Sequence, residues 1–482
     1  MAATTRRFPC HLLTLSLLGI VTLGLPTVAG AQKLIIVQTN AAGDNVHLID
    51  PVSNTIVGEI SGIEVNHGAA AAPDGSRFYV SNEVDHTLDA VDARTLDITH
   101  KVPLSGRPNN VAIRGDGRRV YVAIVSSPGA VDVIDTVSMA RVKRIATAGG
   151  VHNTFMTPDS KYVVAGSIAG RNLTVIDAES EVALWTLFFN AGVRPMSFET
   201  HPDGSTKRIF VQLSNFHGFA VVNFDERREE LNRIELPEIP EVERHTEFLQ
   251  GSPSHGQGVA PDGKTLWLCS KVNSHVYAYS LPDLKYLVVV HVGSHPDWLT
   301  FSPDSKYVYV ANAGSNSTSG VNVETLKEVV QIPVGQVPKR VITAVVPEAT
   351  VAGWKTATAT SRASTSREAL DYEFFREQVE PIFVHKREGR ARCVVCHATR
   401  TRFRLQASPP EGATWTAEQS RRNFETARRM VVPGDPLGSR LLQLPLAEEA
   451  GGNSFHPGGK HWTSQTDPEW QTIASWIRGS RD

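Results

Sequence analysis

Residues 33–347 read as a train of short runs in which Val, Ile, Leu, Phe and Tyr alternate with polar side chains, the period of a half-buried strand. A turn able to break a strand recurs along them: Pro73-Asp74-Gly75, Gly115-Asp116-Gly117, Pro158-Asp159-Ser160, Pro202-Asp203-Gly204, Pro261-Asp262-Gly263 and Pro303-Asp304-Ser305. Successive turns are 42, 43, 44, 59 and 42 residues apart. A strand follows each turn. In the early units a second strand ends in aspartate (Asp50, Asp92, Asp135, Asp177), and a third leads through Gly and Pro to the next turn. A period near 43 residues with about four strands per unit predicts the blade of a β-propeller. Counting from Leu34, Phe78, Val120, Tyr162, Ile209, Leu266 and Tyr307 predicts seven blades. The lone apolar run 341–346 is expected to return to the blade begun by 34–38 and close the ring. The one long spacing holds an acidic, Pro-bearing insert, 225–254, expected as a surface loop over one face.

Beyond 347 the pattern changes. Residues 348–367, rich in Ala, Thr and Ser, read as a linker. Residues 368–384 put Leu370, Phe374, Phe375, Val379 and Ile382 on one side of a helix. A basic helix is expected over 420–430, and a terminal helix over 468–478 carries Trp470, Ile473, Trp476 and Ile477. The fold class is therefore an all-β seven-bladed propeller followed by a small all-α domain, 368–482.

The amino terminus adds an address. Residues 1–31 hold Arg6 and Arg7, an apolar run over 12–25, and Ala29-Gly30-Ala31. That order predicts a secretory signal peptide cleaved before Gln32, and with it a periplasmic or secreted protein. An uncleaved anchor is the alternative. No later run is long enough to span a bilayer. The 48 Lys and Arg against 50 Asp and Glu, a formal charge of −2, point to neither nucleic acid nor a membrane surface. With four cysteines, one of them Cys10 in the leader, the fold is no disulfide scaffold.

The sharpest chemistry is Cys393-Val394-Val395-Cys396-His397, which reads as a c-type haem attachment site. Two thiols three positions apart reach the two vinyl groups of one porphyrin, and His397 follows as the proximal iron ligand. A zinc site would need two more ligands, and of the other cysteines only Cys269 remains, alone in a strand-like run. A thioredoxin-like pair would follow a buried strand, whereas 385–392 are mostly charged.

Aligning the units on their turns gives a second candidate site. Six residues before each turn stand His67, Asn109, His152, Met196, His255 and Asp297, with Lys339 the seventh equivalent. In a propeller such positions ring the mouth of the central channel. His67, His152 and His255 with Asp297 are candidate ligands there for copper or a second haem. The other reading is a solvated polar channel.

The repeats resemble the YVTN family of β-propellers, with Tyr307-Val308-Tyr309-Val310-Ala311-Asn312 and Phe78-Tyr79-Val80-Ser81-Asn82 the nearest matches. That resemblance implies the fold over 33–347 and little about activity. The carboxy-terminal pattern Pro433-Gly434-Asp435-Pro436, Ser439, Leu441-Leu442, then Phe455-His456-Pro457-Gly458-Gly459, then Trp476-Ile477-Arg478-Gly479 resembles planctomycete-type cytochrome c domains. Where that family commonly places a distal methionine this chain has His456, which implies bis-histidine ligation by His397 and His456; Met430 and His461 are the other candidates. Fusion of a propeller to haem c is also similar, in part, to the haem-d1 nitrite reductases, whose propellers have eight blades. Eleven Lys and Arg against four Glu over 386–429 read either as a solvated face or as a basic collar for an acidic redox partner.

Two functions follow. One is an electron-transfer protein or oxidoreductase whose haem exchanges electrons with a partner and with a redox or substrate site at the channel mouth. The other is a non-catalytic docking platform that presents the haem to a partner redox complex. Whether the chain is an enzyme is left open, and no Ser-His-Asp or paired-carboxylate arrangement stands out.

Overall fold

The computed structural model describes residues 1–2, 31–41, 45–63, 65–230, 232–239, 251–335, 337–361, 370–387, 392–398, 403–407, 409–410, 413–452 and 460–479, with backbone alone at 355–361, 395 and 396. The expected leader lies almost wholly outside these residues, as does His456. Among the described residues no helix is long and apolar enough to cross a membrane.

Seven antiparallel sheets form the body, six of four strands and one of five. Blade one pairs the closing strand Pro338–Pro347 with Gln32–Asn40, then Asn45–Asp50 and Thr55–Ser61. Blades two to seven follow in chain order over 66–103, 108–146, 151–188, 193–235, 254–291 and 296–333. In these six the first strand in sequence is innermost. The closing strand takes that place in blade one, with Val341 opposite Gln38 and Val345 opposite Leu34. Each innermost strand contacts the next around the whole ring, so the propeller is closed.

Local chemistry explains the repeat. Asp92 Oδ1 accepts from the backbone N–H groups of Arg94 and Thr95 at 2.8 and 3.2 Å, and Asp135 and Asp177 make the same pair of bonds in their blades. The aspartate that ends each of these strands therefore builds the turn to the outer strand. The turns from the innermost strand to the second within a blade need a left-handed residue: Gly75, Gly117, Gly204 and Gly263 have φ between 71° and 85°. Between the sheets lie layers of fully buried Val, Ile, Leu and aromatic side chains.

Two expectations change. The supposed linker begins as a helix, Glu348–Ser361, whose Trp354 is 2 % exposed in the core of blades one and two and donates from Nε1 to the carbonyl of Ala93 at 2.7 Å. Ala and Thr at alternate positions still allow a helix, and one buried Trp is enough to dock it. The insert is also not wholly irregular: Arg228–Glu229 and Ile234–Glu235 both pair with the strand Gly218–Asn223, while 240–250 lie outside the described residues.

The carboxy-terminal region has its own core and few helices. Helical turns run over 372–384, with a π-turn at Phe375–Val379. Cys393–His397, Ala417–Ala427, Arg440–Gln443 and Pro468–Arg478 follow. The terminal helix falls where its pattern put it. Phe375, Phe383, Phe403, Trp415, Phe424, Trp462, Trp470 and Trp476 fill this core.

Candidate functional site

Each innermost strand carries a β-bulge near its start, which turns one side chain out of the ladder. The bulged positions hold His67, Asn109, His152, His255, Asp297 and Lys339, as the alignment of turns predicts. Blade five differs. There the bulge lies between Val193 and Met196, so Arg194 takes the ring position and Met196 is buried in the blade core. A second register shift, at Glu199 and Thr200, lengthens this hairpin and offsets the count from the turn.

The seven positions converge more closely than the width of the ring suggests. The imidazoles of His67 and His152, from blades two and four, lie edge to face with centroids 6.1 Å apart. His67 Nδ1 is 2.9 Å from Glu83 Oε1. Asp297 Oδ1 accepts from Lys271 Nζ at 2.8 Å and from Lys339 Nζ at 3.0 Å, and its Oδ2 is 3.6 Å from His255 Nδ1. Burial alone would raise Asp297, but Lys271, Lys339 and His255 hold it well below the usual carboxylate range. Burial presses His255 down to about 3, against the pull of Asp297. Burial and the neighbouring His67, His255, Arg194 and Lys339 press His152 well below 6.5, so both imidazoles are neutral at pH 7.

Further along these strands, the axis is filled. Phe155 of blade four stacks on Trp298 of blade seven at 6.3 Å and 12°, across the ring. Arg340 of blade one lies on the same pair, its guanidinium 3.6 Å from the Trp298 ring centre and 5.6 Å from that of Phe155. His255 meets Trp298 edge-on at 5.4 Å. The ring is thus the rim of a cup with an aromatic floor. The sequence alignment missed Arg194, Lys271, Phe155, Trp298 and Arg340. Arg340, next to Lys339, carried a signal: a cation inside an otherwise apolar strand.

Copper or a second haem at His67, His152 and His255 finds no support in this geometry. Among the described residues no three His, Cys, Asp or Glu side chains come together as a metal site. His67 is turned to Glu83, His255 to Asp297, and Phe155 and Trp298 occupy the axis.

In the other region, Cys393–His397 is a single helical turn, which sets positions 393 and 396 on one face. Cys393 is half-buried against the aromatic core, and burial raises its thiol while the adjacent Arg387 opposes that shift. Arg387 pairs with Glu469 and lies 5.7 Å over Trp462. His397 Nδ1 is 2.9 Å from the carbonyl oxygen of Phe403, and the two rings are 4.9 Å apart. That bond fixes Nδ1 as the protonated donor and leaves Nε2 with its lone pair, the state an iron ligand needs. Met430 is partly buried against the same core, and His461 follows the Pro445 carbonyl, to which its backbone N–H donates at 2.7 Å. The basic stretch is partly neutralised internally, by Arg422 with Glu418 and Arg428 with Glu425.

No protein-family model and no curated protein matches this chain. Solved structures do. Hydrazine synthase of Kuenenia stuttgartiensis is 22 % identical over 59 % of this chain and 91 % of its own, with a TM-score of 0.52. The periplasmic gluconolactonase PpgL of Pseudomonas aeruginosa is 18 % identical over 66 % of this chain and all of its own, with a TM-score of 0.53. Dihydro-heme d1 dehydrogenase NirN, solved in complex with DHE, is 16 % identical over 62 % of this chain and 63 % of its own, at a TM-score of 0.48. At such identities the likeness is one of fold, and the chain is a seven-bladed β-propeller with a further carboxy-terminal unit.

Proposed function

We propose that the protein is an exported c-type haem protein that transfers electrons, its haem carried by the carboxy-terminal unit. The observation that carries this reading is the bond from His397 Nδ1 to the Phe403 carbonyl within a CVVCH turn. Metal-bound histidines characteristically donate their second ring nitrogen in this way. A disulfide-exchange pair would have no use for a histidine so oriented, and a zinc site would need two further ligands.

Cys393 and Cys396 would hold the porphyrin through thioether bonds, with His397 on the proximal side. When bound, the haem supplies reversible one-electron transfer. The chain's own residues do the rest. Phe403 fixes the imidazole tautomer and ring plane. Phe383, Trp415 and Trp462 keep the pocket apolar, and Arg387 places a positive charge beside Cys393. His456 is proposed as the distal ligand on its motif position; it lies outside the described residues. Met430, partly buried at the core, is the other candidate.

The propeller does not choose the activity. A hydrazine synthase and a gluconolactonase share it, and fold is a poor guide to chemistry. A docking role is favoured by one feature: Val182, Leu184 and Phe188 stand at least half exposed on the outer strand of blade four.

The test is maturation in a host able to attach haem c. One haem per chain that survives acid–acetone extraction is expected, and none in the Cys393→Ser, Cys396→Ser double variant. A wild-type chain that carries no covalent haem would end this reading. His456→Met is expected to raise the reduction potential, whereas an unchanged potential would assign the distal place to another residue.

A further inference from the structure

Arg340 is an unusual residue to find under a channel mouth. It is 7 % exposed, and its only hydrogen bonds are made by its backbone: its N–H donates to Thr39 Oγ1, and its carbonyl accepts from Gln38 and Thr39. The guanidinium makes no hydrogen bond to any described residue. Its central carbon lies 3.6 Å over the Trp298 ring centre, and a guanidinium held over an aromatic face keeps its N–H donors for a partner in its own plane. A guanidinium keeps its proton in a protein interior, and a buried charge without a partner costs several kcal/mol.

Other cations stand nearby. Arg194, Lys271 and Lys339 are 8 %, 2 % and 8 % exposed. Among the described residues Asp297 is the one carboxylate whose charge reaches Arg340, and it is already shared by Lys271 and Lys339. Glu83 is taken up by His67 and Arg107. The imidazoles add no negative charge. Among the described residues, then, no carboxylate pairs directly with the Arg340 guanidinium.

We propose that the cup over Phe155, Trp298 and Arg340 binds a small anion with two coplanar oxygens, a carboxylate or an inorganic oxyanion, paired edge-on by Arg340. A guanidinium matches two oxygens in its own plane, so such an anion is preferred over a spherical one. The Lys339 ammonium adds attraction without orientation, and His67 and His152 on the rim supply hydrogen bonds. The aromatic floor keeps water from the pair and strengthens it. Nothing here depends on the haem, so the two readings fail separately.

The test is titration of the full-length chain with sodium acetate, sodium nitrate and sodium chloride at constant ionic strength, followed by calorimetry and by melting temperature. Acetate or nitrate is expected to bind saturably with chloride at least tenfold weaker. The response to acetate alone would mark an organic acid as the occupant, and to nitrate as well an oxyanion site. Arg340→Gln is expected to abolish the preference, while Arg94→Gln, an exposed control, leaves it unchanged. Should Arg340→Gln fail to fold, Arg340→Lys keeps the charge but loses the planar fork, and at least tenfold weaker acetate binding is expected. Equal responses to the three salts, or an Arg340→Lys variant that binds as the wild type does, would overturn the proposal.

Discussion

Asp297 shows what one buried carboxylate can hold. It has no exposure, and it carries two lysines that are themselves nearly buried. Asp297→Asn keeps the shape but leaves both ammoniums without a counter-charge, and the expected cost is about 3 kcal/mol of stability, read by urea unfolding. The same residues set an acid limit. His255 titrates near 3 in the folded chain against 6.5 ordinarily, so the unfolded state binds more protons between these values. Its contribution is complete above pH 6.5 and is lost as pH falls toward 3. Asp297, held well below 3.8, acts in the same direction at the lower end. The propeller is expected to lose stability steadily from pH 6 to pH 4, and His255→Gln to flatten that slope; an unchanged slope would show that His255 is not the titrating group. Most of this ring was legible in the sequence because the seven units repeat. Arg194 was not, since a two-residue register change in blade five hides it, nor was Lys271, which enters from the loop after a second strand.

The closing strand is where the propeller is most exposed to a single change. Gly75 has φ of +72°, and a Cβ built there would lie 2.4 Å from the carbonyl oxygen of Val345 in Pro338–Pro347. Gly75→Ala therefore strains the turn and pushes on the strand that shuts the ring, at a cost of about 2 kcal/mol. The helix Glu348–Ser361 follows that strand and is pinned by Trp354, which packs against Phe78 at 6.5 Å. Trp354→Ala is expected to remove about 3 kcal/mol, visible as a fall in the melting temperature of the propeller, whereas a free linker would show no change. Composition hid this helix: Ala, Thr and Ser look the same in a linker and in a short helix, and the information lies in one aromatic side chain. The strands were easier to read because period, turn and terminal aspartate agree at every repeat. The helix Pro468–Arg478 was equally plain, with Asp467 capping its first turn and Gly479 in the left-handed region at its end.

The chain builds two kinds of core that share no residue. The propeller clusters draw on residues up to Trp354, and the carboxy-terminal cluster runs from Phe375 to Ile477. Contacts in the first are knit around a ring by neighbouring blades, so it should unfold as one cooperative body. The second is smaller, rich in aromatic side chains and low in helix, and a staple would add to its stability. Covalent haem at Cys393 and Cys396 would be that staple, since a ligand that binds only the folded form adds to its stability. Calorimetry on haem-loaded protein is therefore expected to show two transitions. In the Cys393→Ser, Cys396→Ser variant the transition that belongs to the carboxy-terminal core should fall by at least 10 °C or vanish, while the propeller transition, identified by its response to Trp354→Ala, stays in place. A single transition that moves as a whole would mean that the cores are coupled through an interface, and the haem would then be stabilising the propeller as well.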